Sequence, residues 1–177
     1  GDVGYAGTLA AIPQSGKHER TKEMNFFNKV LKAKGIAEGY NIEKPLIFVP
    51  WGITAEKLED LFKHHDLKKV TGGYYTIECV SLGGLKHRLG FHFRQDKSGT
   101  LALLEFFREN YPDYNKSFEE FQKHFTDCFG KPSKEYPINE EGFPSYEWNL
   151  HDGICIRHYI MDRFGLEERL YIEKKTI

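Results

Sequence analysis

Four groupings in this chain carry the residue types that acid–base, thiol or metal chemistry uses. His124 and Cys128 stand four apart, so on a helix they share a face, where an imidazole can draw a proton from a thiol or both can hold a metal. Their setting argues for packing instead. Cys128 belongs to the stripe Phe118, Phe121, Phe125 and Phe129, His124 borders it, and no third group is in place to orient a base. His64-His65-Asp66 gathers three ligand types, but adjacent residues point apart, and a histidine at a helix end is already favourable against the helix dipole. His151-Asp152 runs into Gly153, where the chain needs Asp-Gly for a two-residue hairpin turn rather than for catalysis. His158 falls among Ile154, Ile156 and Ile160, the position of a hydrogen-bonded core histidine. The chain has no Gly-rich phosphate loop, nucleophile elbow or zinc-protease helix motif. The expectation is therefore no catalytic residue, no metal site and no cofactor.

A binding feature stands out more clearly. On a two-residue period, Leu85, His87, Leu89, Phe91 and Phe93 share one side of a strand, and Lys86, Arg88, His92 and Arg94 share the other. That outward basic row can meet an acidic partner, although an antiparallel sheet also wets one face with ordinary charged residues. Trp51 and Tyr74 join it as candidate interface anchors, since aromatic residues concentrate at binding hot spots. Trp51 and Tyr75 can equally cover a core.

The elements that must position these residues are read from periodicity and turns. Residues 1–16 read as an extended lead-in, and 17–45 as an N-terminal helical segment with its helix over 21–34. Residues 46–110 form a first helix-plus-three-strand unit. A short strand over 46–49 precedes a helix capped by Thr54 and striped by Leu58, Leu61 and Phe62, then strands separated by Gly83-Gly84 and by residues 95–99. Residues 111–177 repeat the order. Ser117 and Glu120 make a capping box for a Phe-rich helix ended by Gly130 and Pro132, and three strands follow with turns at Asp152-Gly153 and residues 163–165. Gly84 aligns with Gly153 and Arg88 with Arg157. The fold class is α+β: two tandem α-β-β-β units, with antiparallel sheet packed on helices, in one domain over 1–177.

Composition supports a packed domain and excludes some classes. Fourteen Phe and ten Tyr supply a large apolar core, which argues against disorder. Twenty-five Lys and Arg against 26 Asp and Glu leave a formal charge of −1, which removes the simple case for nucleic acid or an anionic membrane. No apolar run is long enough to span a bilayer. Cys79, Cys128 and Cys155 are odd in number and widely spaced, fitting neither a disulfide framework nor a metal knuckle, and read as buried thiols. Unpaired cysteines favour the cytoplasm, and export would need a leader removed ahead of Gly1.

The string Val49-Pro50-Trp51-Gly52-Ile53-Thr54 before a helix, and a later helix closed by Phe129-Gly130-Lys131-Pro132, resemble small, mostly uncharacterised bacterial proteins of BamE-like and β-lactamase-inhibitor-protein-like general shape. The resemblance covers about residues 45–177. It implies protein binding or envelope assembly, with no catalytic residues to carry across. The leading expectation is a non-enzymatic protein-binding module that uses an exposed sheet face and has another protein as its partner. Two alternatives stand beside it: a small-molecule or lipid carrier with an aromatic-lined cavity, and a thiol enzyme or hydrolase built on His124 and Cys128.

Overall fold

Strand pairing dominates the architecture. The computed structural model describes residues 35–108 and 112–175. These residues belong to one compact unit, 34–177, and the expected lead-in over 1–16 and helix over 21–34 lie outside them. A small antiparallel hairpin comes first, β1 (Gly39–Ile42) with β2 (Ile47–Pro50), followed by helix α1 (Ala55–Leu61). Four strands come next: β3 (Lys68–Thr71), β4 (Tyr74–Ser81), β5 (Leu85–Phe93) and β6 (Leu101–Phe107). Helix α2 (Tyr114–Phe129) precedes four more: β7 (Lys134–Tyr136), β8 (Ser145–Asn149), β9 (Ile154–Asp162) and β10 (Leu166–Lys174). All eight strands after α1 make one antiparallel sheet in the order β3-β4-β5-β6-β10-β9-β8-β7. The fold is thus mixed and strand-rich, with a large antiparallel sheet and two helices among the described residues.

Register puts the two-residue period to work across the whole sheet. One inner row runs Ile77–Leu89–Phe106–Leu170–His158–Tyr146, and the next runs Tyr75–Phe91–Leu104–Ile172–Ile156–Trp148. Every apolar member of those rows except Tyr146 is buried. Phe121 and Phe125 of α2, Leu58 and Phe62 of α1, and Tyr40, Ile42 and Val49 of the β1–β2 hairpin pack in the same cluster. Ring contacts join these layers, with Phe106 edge-on to Tyr40 at 5.4 Å and to Phe125 at 5.3 Å. Helices and hairpin therefore cover the same face of the sheet. A one-residue slip would turn all of this apolar surface outward, so the burial itself fixes the register.

Helix boundaries and stripes depart from expectation in three places. Thr54 sits at the N-cap of α1 but makes no side-chain capping bond, and Leu61 is largely exposed, leaving Leu58 and Phe62 as the buried stripe. Helix α2 starts one turn before the expected capping box. Asp113 is its N-cap and accepts from the Lys116 amide at 3.0 Å, whereas Ser117 lies inside the helix and is buried, and Glu120 pairs with Arg108. Asp outcompetes an interior Ser here because a carboxylate can accept from the orphan amides of the first turn. Asp113→Ala is expected to cost about 1 kcal/mol of stability, read as a lower urea midpoint with an unchanged slope. Cys128 is exposed rather than buried on the apolar side, while Cys79 and Cys155 are buried.

Each helix precedes four strands rather than three. The extra ones, β3 and β7, lie at the two edges of the sheet, and every residue in them is exposed. They carry Lys68, Lys69, Lys134 and Glu135, charges that discourage edge-to-edge association and erase any apolar alternation. The stretch 17–45, expected to be a helical segment, ends in strand β1. Turn chemistry is as the residues require: Asp152 and Gly153 have φ of +59° and +75°, the left-handed pair of a tight hairpin turn. Leu82 at φ +56° is a bulky residue in the same region, held there because its side chain is buried and its carbonyl meets His124 Nδ1 at 2.6 Å. No helix among the described residues is long and apolar enough to cross a membrane.

Candidate functional site

Among the described residues, no strand or helix packs on the outer face of the eight-stranded sheet. One outer row crosses the full width: Lys68, Thr76, Gly90, Glu105, Tyr171, Arg157, Glu147 and Lys134. The basic row of β5 lies on this face, in the outward phase, but two of its members stand beside carboxylates. Arg88 Nε donates to Glu78 Oε1 at 2.8 Å and lies over the Phe107 ring. His92 Nε2 is 2.8 Å from Glu105 Oε2, and Arg94 donates to the Lys174 carbonyl. Lys86 is exposed. Trp51 stands elsewhere, packed against the core with Nε1 donating to the Ile36 carbonyl at 2.7 Å.

Gly90 interrupts the basic row, and that gap organises the face. The Tyr74 ring crosses from β4 to lie over Gly90 and stacks on His92 with centroids 4.3 Å apart. Burial and the neighbouring Glu105 carboxylate push the Tyr74 phenol up to about 12. Glu105 itself is held below the usual carboxylate range by its hydrogen bond to His92, with Arg169 Nη1 adding a second bond at 2.9 Å. A Cβ at position 90 would come within 2.9 Å of the Tyr74 ring. Gly90→Ala is therefore expected to push the ring off His92, at roughly 1 kcal/mol in stability. NMR titration of the tyrosine ring carbons should show the Tyr74 phenol falling back toward its ordinary value.

The far half of the face repeats the chemistry with different residues. Glu147, nearly buried, accepts from Asn149 Nδ2 at 2.7 Å, Arg157 Nε at 3.1 Å and Lys134 Nζ at 3.3 Å. The Asn149 bond, followed by the two cations, holds its carboxyl low. Arg157 also donates to the Tyr171 hydroxyl at 3.2 Å, and Tyr159 meets Tyr171 edge-on. Tyr136 and Tyr159 flank Glu147 and Arg157 around a shallow hollow of about 350 Å³. The result is a surface of aromatic rings separated by charge pairs whose geometry is fixed by neighbouring strands.

His124 bonds the Leu82 carbonyl, and the Cys128 thiol is held up by desolvation and by the carboxylates Glu43 and Asp127, the opposite of an activated thiolate. His64 and His65 follow the end of α1, with the His65 ring edge-on to Phe62, and His151 is exposed beside its turn. Among the described residues no set of three His, Cys, Asp or Glu side chains converges as a metal site would require. Beneath the sheet a buried chain runs from the Tyr40 hydroxyl to Ser81 Oγ at 2.5 Å and on to His87 Nε2 at 2.6 Å. His87 Nδ1 lies 3.1 Å from the Arg88 carbonyl, so Nδ1 carries the proton and Nε2 accepts from Ser81. Burial drives His87 down to about 4 and the adjacent Cys79 thiol up to about 12, leaving both neutral.

Sequence reasoning located the β5 row and Tyr74 and aligned Arg157 with Arg88, but missed Glu105 and Arg169 beside the row and Glu147 and Tyr171 beside Arg157. One signal was available: a glycine inside a strand marks a close approach, and Gly90 is where the outward alternation of β5 breaks. No family model, curated protein or solved structure matches this chain.

Proposed function

We propose that this chain is a non-enzymatic protein-binding module whose working surface is the outer face of the eight-stranded sheet. One observation carries the reading. Among the described residues, both helices and the β1–β2 hairpin lie on one face, while the other presents Tyr74, Phe107, Tyr159 and Tyr171 between arginine–carboxylate pairs. Aromatic residues and arginine are the types enriched where proteins bind one another. Eight strands at normal spacing span about 34 Å, and strands of nine residues run about 30 Å. That footprint, at most about 1,000 Å², is large enough for the roughly 800 Å² per partner of a standard interface. Preset charge pairs lower the ordering cost of docking, and their carboxylates and guanidinium groups give register to a partner of mixed charge rather than an acidic one.

Two finer readings belong to the same proposal. The halves α1-β3-β4-β5-β6 and α2-β7-β8-β9-β10 are tandem units that each contribute one set of aromatics and pairs. The general shape is of the BamE-like and β-lactamase-inhibitor-protein-like kind. Comparative capture tests the function. Tyr74→Ala with Tyr159→Ala removes one ring from each half of the face without entering the core, and Leu61→Ala is the control on the helix side. Partners retained by the unaltered protein and by Leu61→Ala should be lost by the double variant. Equal capture by all three proteins would eliminate the outer face.

A further inference from the structure

We propose that the hollow between Tyr136 and Tyr159 on the outer face seats one acidic side chain of the partner, its carboxylate on the free end of Arg157 and its stem between the two tyrosines. The inference rests on the outer face being the binding surface, and it names the chemistry that one point of that surface recognises.

Phase and size build the hollow. Tyr136 pairs with Ser145 across β7 and β8, Glu147 pairs with Arg157 across β8 and β9, and Tyr159 follows Arg157 by two residues. The two-residue period therefore turns these side chains to one face. Ser145 is the small member among large ones, and together they line a hollow of about 350 Å³, at the small end of ligand sites and suited to a single side chain.

Arg157 points to the class of occupant. Its Nε donates to Glu147 at 3.1 Å and its Nη1 to the Tyr171 hydroxyl at 3.2 Å, whereas Nη2 meets no acceptor among the described residues. The side chain is 43% exposed, so the two N–H donors of Nη2 are left for a group arriving from solvent. Glu147 is already engaged. Its oxygens accept from Asn149, Lys134 and Arg157 Nε, and only 11% of its side chain is exposed. It acts as a clamp: a guanidinium held at Nε and Nη1 has little rotamer freedom left to lose when a carboxylate docks.

The local charge sets how much negative charge fits. Lys134 and Arg157 carry two positive charges against one negative charge on Glu147, which leaves +1 for the incoming group. Arg169 lies across from Tyr159 on β10, but Glu105 and Glu167 both accept from it. One carboxylate therefore balances the site. A phosphate dianion would exceed the balance and meet repulsion from Glu147, which its three donors hold in place.

Capped amino acids, with N-acetyl and N-methylamide ends, isolate the side chain. Capped glutamate, glutamine and phosphoserine are titrated into the intact protein at neutral pH and followed by NMR. Glutamate should give saturable shifts at the Arg157 Nε–H and at the backbone amides of Tyr136 and Ser145. It should bind roughly three- to tenfold more tightly than glutamine, the range of one net hydrogen bond. Phosphoserine should bind no more tightly than glutamate, and Arg157→Gln should make glutamate and glutamine equal. Equal affinities in the unaltered protein, shifts that map away from the hollow, tighter binding of phosphoserine, or a preference that survives Arg157→Gln would each overturn the assignment. The comparison of the three compounds stands even if Arg157→Gln fails to fold. Failure here is separate from failure of the sheet-face reading, because capture that still depends on Tyr74 and Tyr159 keeps that reading even where glutamate shows no preference.

Discussion

Phe106→Ala is expected to remove about 3–5 kcal/mol of folding stability, the range for deleting a fully buried aromatic side chain. Phe106 is wholly buried in the middle of the sheet, where it touches Tyr40 of β1, His87 of β5 and Phe125 of α2. Its removal opens a cavity that three elements border, and none of them can close it without losing its other contacts. The neighbouring residue provides the contrast. Phe107 faces outward under Arg88 and is only partly covered. Phe107→Ala should cost well under half as much, because part of its ring already meets solvent and its loss opens no enclosed cavity. Urea denaturation of the two variants measures the difference, and similar losses would mean that the two faces of β6 have been exchanged.

A second large effect is expected from acid. His87 titrates at about 4 in the folded protein against about 6.5 in an unfolded chain. A histidine with a depressed folded pKa binds more protons unfolded than folded between those values, so stability rises with pH across that window and is lost as pH falls through it. At pH 5 the loss from His87 is about 2 kcal/mol, approaching about 3 kcal/mol below pH 4. His158, also lowered by burial, acts in the same direction. Glu105 and Glu147 act further down: their folded values are depressed, so the stability they contribute is present above the ordinary carboxylate range and is lost only below it. The slope between pH 7 and pH 5 therefore belongs to the buried histidines. His87→Gln keeps an acceptor for Ser81 and cannot titrate, so it should be less stable at pH 7 yet show a visibly shallower loss by pH 5. An unchanged slope would show that burial does not hold His87 neutral in the folded protein.

The parts of this architecture legible in the sequence are those where one physical signal dominates. Leu85 to Phe93 alternates because one face of β5 is buried, so its register could be read directly. Asp152-Gly153 could be placed because few other residues accept that backbone. The edge strands β3 and β7 left no such trace: with every residue exposed, no alternation survives. Asp113 was hidden by a second capping signal one turn on, at Ser117 and Glu120, whose side chains the fold turns to Glu168 and Arg108. The outer face was half legible. Its row on β5 is local, but Glu105, Arg169, Glu147 and Arg157 come from strands whose order, β6-β10-β9-β8, is set by long-range pairing. The basic row therefore looked like an anion-binding stripe until Glu78 and Glu105 were brought beside it.

The direct test of the sheet-face assignment is hydroxyl-radical footprinting of this protein in complex with a captured partner. Tyr74, Tyr159 and Tyr171 should lose reactivity together on binding, while Leu61 on α1 keeps its own. Protection of Leu61 with the three outer tyrosines unchanged would contradict the account and assign binding to the helix side.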